Sequence, residues 1–590
     1  MSRLKELIKG RKIVALDTET YGSLKGKHKT VWDPSIRLAY ISYWTEDGRG
    51  DVIKYEGDGA KKVVDLVEEF FSEDYCVVFW NAPFDLTIFG KEDLRPNGCL
   101  IQDAMVLAQT VHPTEHEFGL KHFSKKFLKV PYLEEDALRQ YRQRHKCDFG
   151  SVPIDVMYPY ALADAQYTYE LYYLMIRKLD KLKMWETWEL ETKLADPIMS
   201  MIRKGIRVDP IRCADLEIAA KDELQRTKKS IVKESGIPDF NVNSPRQIIN
   251  ILWPGGKGVQ RRTATGNPST DNLSLLLDGR QIAVDIQKFR QYSKAISTYY
   301  AALEALPQEG ILRCNIKQNQ AITGRMSASG PNLQNQPRPG SSPLGRIREC
   351  YVAHSKDDFL LMIDFDQIEL RLAAHFGQET HMLEAIRNGD DLHTVTRDRM
   401  FNLEGLSDED RKSRRYLAKR LNFATLYGTG PAKFANTTLE DSGGTVRLDV
   451  REAGEYIRTW WEVHPGITEL RNRVLSEVGR TGGIRTAFGR FIPVLAGKDH
   501  AALNYLIQGS AADVIKRAIV RVHKFLKKNR YSTRMLVPVH DEIIFNVPRQ
   551  EKFLCQKLRT LMEDRTNFDV PLTCSAEAGL RWGSKKPIKT

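Results

Sequence analysis

The 590-residue chain contains no run of about 18 apolar residues, so no segment of it reads as a membrane-spanning helix. Its opening, MSRLKELIKGRK, is charged and lacks the apolar centre of a secretory leader. Eight cysteines, at positions 76, 99, 147, 213, 314, 350, 555 and 574, never form a CxxC pair or a zinc-ligand spacing. That pattern argues against a disulfide framework or a zinc module and predicts idle thiols in a reducing, cytoplasmic compartment. Neither an internal repeat nor a low-complexity segment is present. What is there is ordinary globular material, 42% hydrophobic and 28% charged, long enough for about three or four domains. A net charge of +13 favours a polyanionic partner.

Read for elements, residues 12–20 (KIVALDTET) predict a buried strand, Cys76–Trp80 another, and 160–178 a helix, giving an α/β domain that ends near residue 185. From 186 to 310 the pattern is mostly helical, and a Lys- and Arg-rich helix over 213–235 stops at Gly236. The stretch 254–268 is a loop by composition, open to two readings: a basic loop touching phosphates, or a plain solvated one. Apolar runs return at 359–363 and 535–539, separated by a largely helical region over 380–530. Two sheet regions around a helical block predict a domain that the chain leaves and re-enters.

The run Phe359–Ile363 delivers Asp364 to a strand end. The run 535–539 delivers His540, Asp541 and Glu542, and Ile543–Phe545 follows, so the carboxylates are expected at a hairpin tip. If these strands are neighbours, Asp364 and Asp541 jointly hold two divalent cations about 3.5–4 Å apart, an arrangement that activates a 3′-hydroxyl and stabilises departing pyrophosphate. Magnesium suits carboxylate and phosphate oxygens. Taken alone, Asp364 also fits a simple strand terminator. Between these blocks Arg415, Lys419, Phe423 and Tyr427 recur every fourth residue and share one helical stripe. Its length, roughly 18 Å, matches a nucleoside triphosphate, cations toward the phosphates and rings toward the base. Ser407 with Asp410 predicts a capping box, and Gly428 the stop.

A second set of acids stands at the other end of the chain. Asp17 and Glu19 are two apart on a strand and face one side. Asn81-Ala82-Pro83-Phe84-Asp85 adds an acid after the second strand, and Tyr160 and Asp164 lie one helical turn apart. Four carboxylates and a phenol suit two-metal hydrolysis, with the tyrosine orienting water.

The blocks Asp364–Arg371, Arg415–Gly428 and His540–Glu542 resemble motifs A, B and C of family A DNA polymerases. Thr323–Ser327 with Pro331–Asn335, and Gln508–Asp513, resemble two further segments of that family, and the similarity runs over 190–590. The resemblance implies a right-hand polymerase of palm, fingers and thumb: 186–310 the start of the palm and the helical thumb, 311–395 palm, 396–500 fingers, 501–590 palm. It implies that Asp364 and Asp541 bind metal with Glu542 assisting, and that Arg415, Lys419 and His393 hold the triphosphate. Phe423 would stack on the incoming nucleotide and discriminate against dideoxynucleotides, Tyr427 would lie against the templating pair, and Gln367 belongs to the nucleotide site. Glu369 matches the steric gate against a 2′-hydroxyl. Arg325, Asn332, Gln334, Asn504, Gln508 and His540 are the implied DNA contacts, testing pair geometry more than base identity. One departure is Asp366, where the family has a small residue. A third carboxylate there either perturbs its neighbours or points away harmlessly.

The DxE, NxxxFD and YxxxD trio resembles the tyrosine subclass of DEDD 3′–5′ exonucleases over 10–185, which implies a ribonuclease H-like domain spanning 1–185 with active editing. Asp17, Glu19, Asp85 and Asp164 are its implied metal ligands and Tyr160 its implied catalytic phenol. The domain begins almost at residue 1, so no 5′-nuclease is expected. Two magnesium ions per site (or manganese in their place), primer-template DNA and deoxynucleoside triphosphates are the implied cofactors and partners. A monomer in phage or bacterial replication is the expectation, with no readable replisome partner. Rival readings are a single-subunit RNA polymerase, an exonuclease with a dead polymerase module, and a non-catalytic DNA-binding protein. Glu369 and the two complete acid sets argue against them.

Overall fold

The computed structural model describes residues 2–22, 31–263, 265–304, 310–337 and 343–587. The N-terminal sheet has five strands in the order Gly50–Lys54, Arg37–Thr45, Lys12–Tyr21, Tyr75–Phe79, Leu100–Asp103. The first three pair antiparallel, the last three parallel. Alternation along the central strand feeds two cores. Ile13 packs with Cys76 and Val78 against helices Ala104–Val111 and Ile154–Lys181, while Val14 and Leu16 pack with Val77 and Phe79 on the opposite face. Parallel strands covered on both faces end on a common edge, where Glu19, Asn81 and Asp103 emerge.

The second sheet has eight strands, along the path Arg534–Val539, Glu542–Pro548, Asp358–Phe365, Cys574–Arg581, Tyr351–Val352, Ile206–Val208, Ile311–Leu312, with Ser584–Pro587 beside Cys574–Arg581. Its described pairs are antiparallel. The chain leaves this sheet repeatedly: after Ile206–Val208, for helices Pro210–Ser235 and Gln281–Lys294, after Leu312, for the separate strands Asn315–Lys317 and Ser327–Ser329, after Phe365, and after Pro548, for helix Leu554–Met562. The expected single re-entry therefore understates the topology, because strands of two or three residues leave no periodic trace in sequence. Gly236 ends its helix at φ 68°, its N–H donating to the Val232 carbonyl. Within 254–268 the described residues form a short 3₁₀ turn and one bridge, Arg262 to Pro268, and are otherwise loop.

Leu360–Ile363 is fully buried between strands Glu542–Pro548 and Cys574–Arg581, in one core with the apolar side of helix Ala502–Lys528, which explains the unbroken apolar run. The helical block after residue 380 contains Leu392–Met400, Asp408–Leu426, Pro431–Asp441, Val450–Val463 and Pro465–Thr481. Among the described residues no helix is long and apolar enough to cross a membrane.

Candidate active sites

Strand pairing assembles the first site from residues far apart in sequence. Asp364 stands opposite Glu542 in the antiparallel register, and the Phe365 N–H donates to the Asp541 carbonyl at 3.2 Å. The turn between Arg534–Val539 and Glu542–Pro548 holds His540 at φ 55°, leaving its side chain exposed and Asp541 at the tip. Glu542 is buried and accepts from the Trp582 indole at 3.2 Å. Asp366 turns to a different partner. Its carboxylate accepts from the Thr573 hydroxyl at 2.8 Å, its N–H donates to the Thr573 carbonyl at 2.9 Å, and its own carbonyl takes the Arg371 guanidinium at 2.7 Å. That geometry favours the harmless reading of the third acid.

Gln367 stands at the N-cap position of the next helix, Ile368–Gly377, in the left-handed region (φ 51°), without a side-chain capping bond. The cap puts Glu369 in the first turn, buried, where Arg325 pairs with Oε1 and the Tyr427 hydroxyl donates to Oε2 at 2.7 Å. Burial raises the Glu369 pKa despite these two partners. Ser407 caps helix Asp408–Leu426, accepting the Asp410 N–H while its hydroxyl donates to the Asp410 carboxylate at 2.6 Å. Gly428 follows at φ 67°, so close to the His500 carbonyl that a Cβ would meet it at 2.5 Å. On the predicted stripe Lys419 and Tyr427 are exposed, and Arg415 and Phe423 half-buried. Arg415 is tied at 2.8 Å to Asp391, which also accepts from Gln367 at 3.3 Å and caps helix Leu392–Met400.

His393 is less available than its expected role suggests. It is buried, Asn422 donates to its Nδ1 at 3.1 Å, and burial pushes its pKa down to about 4. A neutral imidazole with one nitrogen engaged offers a single N–H, so of the three residues expected at the triphosphate only Arg415 and Lys419 are cationic side chains. Of the expected DNA contacts, Arg325, Gln334 and His540 line one cleft with Ala512 and Ile515. Asn332 is taken up capping the turn Leu333–Asn335, and Gln334 donates to the Pro538 carbonyl at 3.2 Å. Asn504 and Gln508 sit half-exposed one turn apart on helix Ala502–Lys528.

The second site lies on the edge of the five-stranded sheet. Asp17, Glu19 and Asp164 each present an oxygen, all within 4.8 Å of one another. Asp85 joins from the start of helix Ala82–Lys91, its Oδ1 accepting the Thr18 N–H at 3.0 Å and hydroxyl at 2.7 Å. Tyr160 lies one turn before Asp164 on helix Ile154–Lys181. Burial, then the neighbouring acids Asp85, Glu19 and Asp164, drives the Asp17 pKa well up; burial and Asp164 do the same to Glu19. Burial lifts Asp85 to about 7 and Asp164 to about 6. Crowded acids at such cost fit a site for a divalent cation.

Sequence reasoning missed several supports. The Tyr132 hydroxyl donates to Asp164, and Lys121 lies 4.9 Å over the Tyr160 ring. Asp103 accepts the N–H groups of Asn81 (3.2 Å) and Ala82 (2.9 Å), fixing the loop that carries Asp85. Asp391 was open to discovery as a helix cap two residues before His393. Tyr132 and Lys121 have no periodic relation to the acids and gave no signal.

The profile described as "DNA polymerase family A" matches residues 211–584, and that described as "3′-5′ exonuclease" matches residues 1–180. DNA polymerase I of Chloroflexus aurantiacus is 30% identical over 554 residues, covering 89% of this chain and 57% of the relative. DNA polymerase I of Helicobacter pylori is 30% identical over 502 residues (82% and 53%), and that of Bacillus subtilis 34% over 426 (69% and 46%). The chain thus spans about half the length of the curated relatives it matches. Among solved structures, the POL domain of Pol1 from M. smegmatis, in complex with DNA primer-template and dNTP, superposes with a TM-score of 0.82 at 22% identity, covering 99% of this chain and 98% of that one. The last likeness speaks to the fold.

Proposed function

The chain belongs to DNA polymerase family A and carries a 3′–5′ exonuclease domain, and from that premise we propose that it extends a primer 3′ end on a DNA template and edits the same end in its second site. The observation that carries the reading is the strand register bringing Asp364 beside Asp541 and Glu542, with the Arg415–Tyr427 stripe and the Arg325–Glu369–Tyr427 group among the motifs of one polymerising site.

Asp364 and Asp541, assisted by Glu542, are the residues to hold magnesium (or manganese) in the polymerising site, and Asp17, Glu19, Asp85 and Asp164 in the editing site. Two such ions per site would supply charge neutralisation for the attacking and leaving oxygens. The chain's own groups do the rest. Arg415 and Lys419 bind the triphosphate, Arg415 by trading its hold on Asp391 for phosphate oxygens. Phe423 stacks on the base. The Glu369 side chain, fixed by Arg325 and Tyr427, fills the volume a 2′-hydroxyl needs. In the editing site Tyr160 orients the attacking water beside Asp164. Residues 1–185 form the editing domain, 186–310 the start of the palm and the thumb, 311–395 and 501–590 palm, and 396–500 fingers. Its setting in this reading is replication in a bacterial or phage-infected cytoplasm, by a monomer; the net charge supports its nucleic-acid partner and the relatives its bacterial setting.

The test is a labelled, recessed primer on a DNA template with magnesium, with and without deoxynucleotides. Extension with them and 3′ shortening without them is expected. Asp541→Ala should abolish extension and spare shortening, and Asp17→Ala the reverse; extension by the Asp541→Ala protein would end the assignment.

A further inference from the structure

Beneath the polymerising site lies a closed knot of charge that neither site's chemistry uses. Arg490, Glu191, Asp513 and Lys516 are each at most 3% exposed. They come from the loop before strand Phe491–Pro493, helix Trp185–Lys204 and helix Ala502–Lys528. The Arg490 guanidinium serves three acceptors in its plane: Asp513 Oδ1 from Nε at 2.9 Å, Asn319 Oδ1 from Nη1 at 3.3 Å, and Glu191 from Nη2. Lys516 donates to the same Glu191 oxygen and to Asn319 at 2.6 Å, and the Thr486 hydroxyl donates to Asp513 at 2.7 Å. Asn319 is itself anchored to the exonuclease domain, donating to the Thr110 hydroxyl at 2.8 Å.

Directly over this plane passes Gly324, at φ 78°, so close that a Cβ there would lie 2.7 Å from the Arg490 Cζ. The next residue is Arg325, which pairs with Glu369. Building on the polymerase reading above, we propose that Arg490 is a positioning residue for nucleotide selection: pinned by Glu191, Asp513 and Asn319, its flat face sets the height of Gly324 and so keeps Arg325 on the Glu369 carboxylate. An arginine is needed because one rigid fork meets three fixed acceptors and still presents a planar face to backbone, which an ammonium cannot do. A loosened Arg490 lets the segment sink, Arg325 slips, and Glu369 loses the partner that holds it where a 2′-hydroxyl would go.

The experiment is single-nucleotide insertion with deoxy- and ribonucleoside triphosphates on one primer-template, for wild type, Arg490→Lys and Thr486→Val, with thermal unfolding and single-strand excision alongside. Arg490→Lys keeps the charge but loses the plane; Thr486→Val removes one hydroxyl from Asp513. The deoxy/ribo ratio of kcat/KM should fall about tenfold in Arg490→Lys and about threefold in Thr486→Val, through gained ribonucleotide insertion. A ratio within roughly twofold of wild type in both folded variants, even with lowered melting temperature, overturns the proposal and leaves the knot purely structural. If Arg490→Lys does not fold, Thr486→Val decides alone. A wild type that extends no primer would bring down the polymerase reading and this inference with it, whereas an extending wild type with unmoved ratios sinks this inference only.

Discussion

Two groups of buried acid in this molecule behave in opposite ways. In the exonuclease domain Asp17, Glu19, Asp85 and Asp164 gather at one place; burial drives all four pKa values up, and repulsion from the other acids adds to it at Asp17 and Glu19. Under the polymerising site Glu191 is buried more deeply than Asp17 or Glu19, and burial alone would raise it too, but Lys516 and Arg490 more than offset that and hold it below the usual carboxylate range. The neighbours, not the depth, set the direction. One cluster has its cations built in; the other gathers acids around Asp17, which is what the proposed metal site requires.

The sharpest way to break the contrast is one amide substitution in each group. Glu191→Gln leaves Arg490 and Lys516 without their shared anion, and should cost about 3–5 kcal/mol in urea unfolding. Asp17→Asn relieves repulsion, and in chelator it should raise stability by about 1–3 kcal/mol while removing excision. A destabilising Asp17→Asn under chelator would count against the repulsion account.

pH sharpens the same point. Folded-state values raised from 3.8 to about 6 (Asp164) and about 7 (Asp85) mean that the folded protein binds the extra protons. Their stabilising contribution is therefore complete below the unfolded value and is lost as pH rises through about 6 to about 7. Metal-free wild type should weaken across that window, Asp17→Asn less so, and magnesium should cancel the trend at the upper end. In the presence of metal, excision should fall as pH drops through the same window, since protons compete for the ligand oxygens. Smallest of all, Asp366→Asn should leave extension within about twofold, because Thr573 can still donate to the amide oxygen.

The sequence exposed most of what chemistry demands. Asp17 and Glu19, Tyr160 and Asp164, and the Arg415–Tyr427 stripe are legible because strand and helix periods put them on shared faces. Asp364 and Asp541 were legible because each follows an unbroken apolar run. What stayed hidden was tertiary. The Glu191–Arg490–Asp513 knot joins Glu191 to Arg490 across 299 positions with no local period, and Tyr132 reaches Asp164 from the N-cap of helix Leu133–His145. His393 reads as a phosphate ligand by position, yet its burial and its Asn422 partner are invisible until helices Leu392–Met400 and Asp408–Leu426 pack. Short strands such as Ile206–Val208 exist only because a sheet is waiting for them.

The strand Asp358–Phe365 carries a liability of its own. Leu360–Ile363 is buried on both faces, so oil meets oil whichever way the strand is turned. A slide of one position would swap every side chain across the sheet with little protest from the core, yet it would send Asp364 to the wrong side. The ends help to police the alignment: the Phe365 N–H on the Asp541 carbonyl at one, the Asn546 amide on Asp358 at the other. Single-residue deletions inside this strand should therefore yield protein that is folded, soluble and silent, a class of loss that stability screens would pass as healthy.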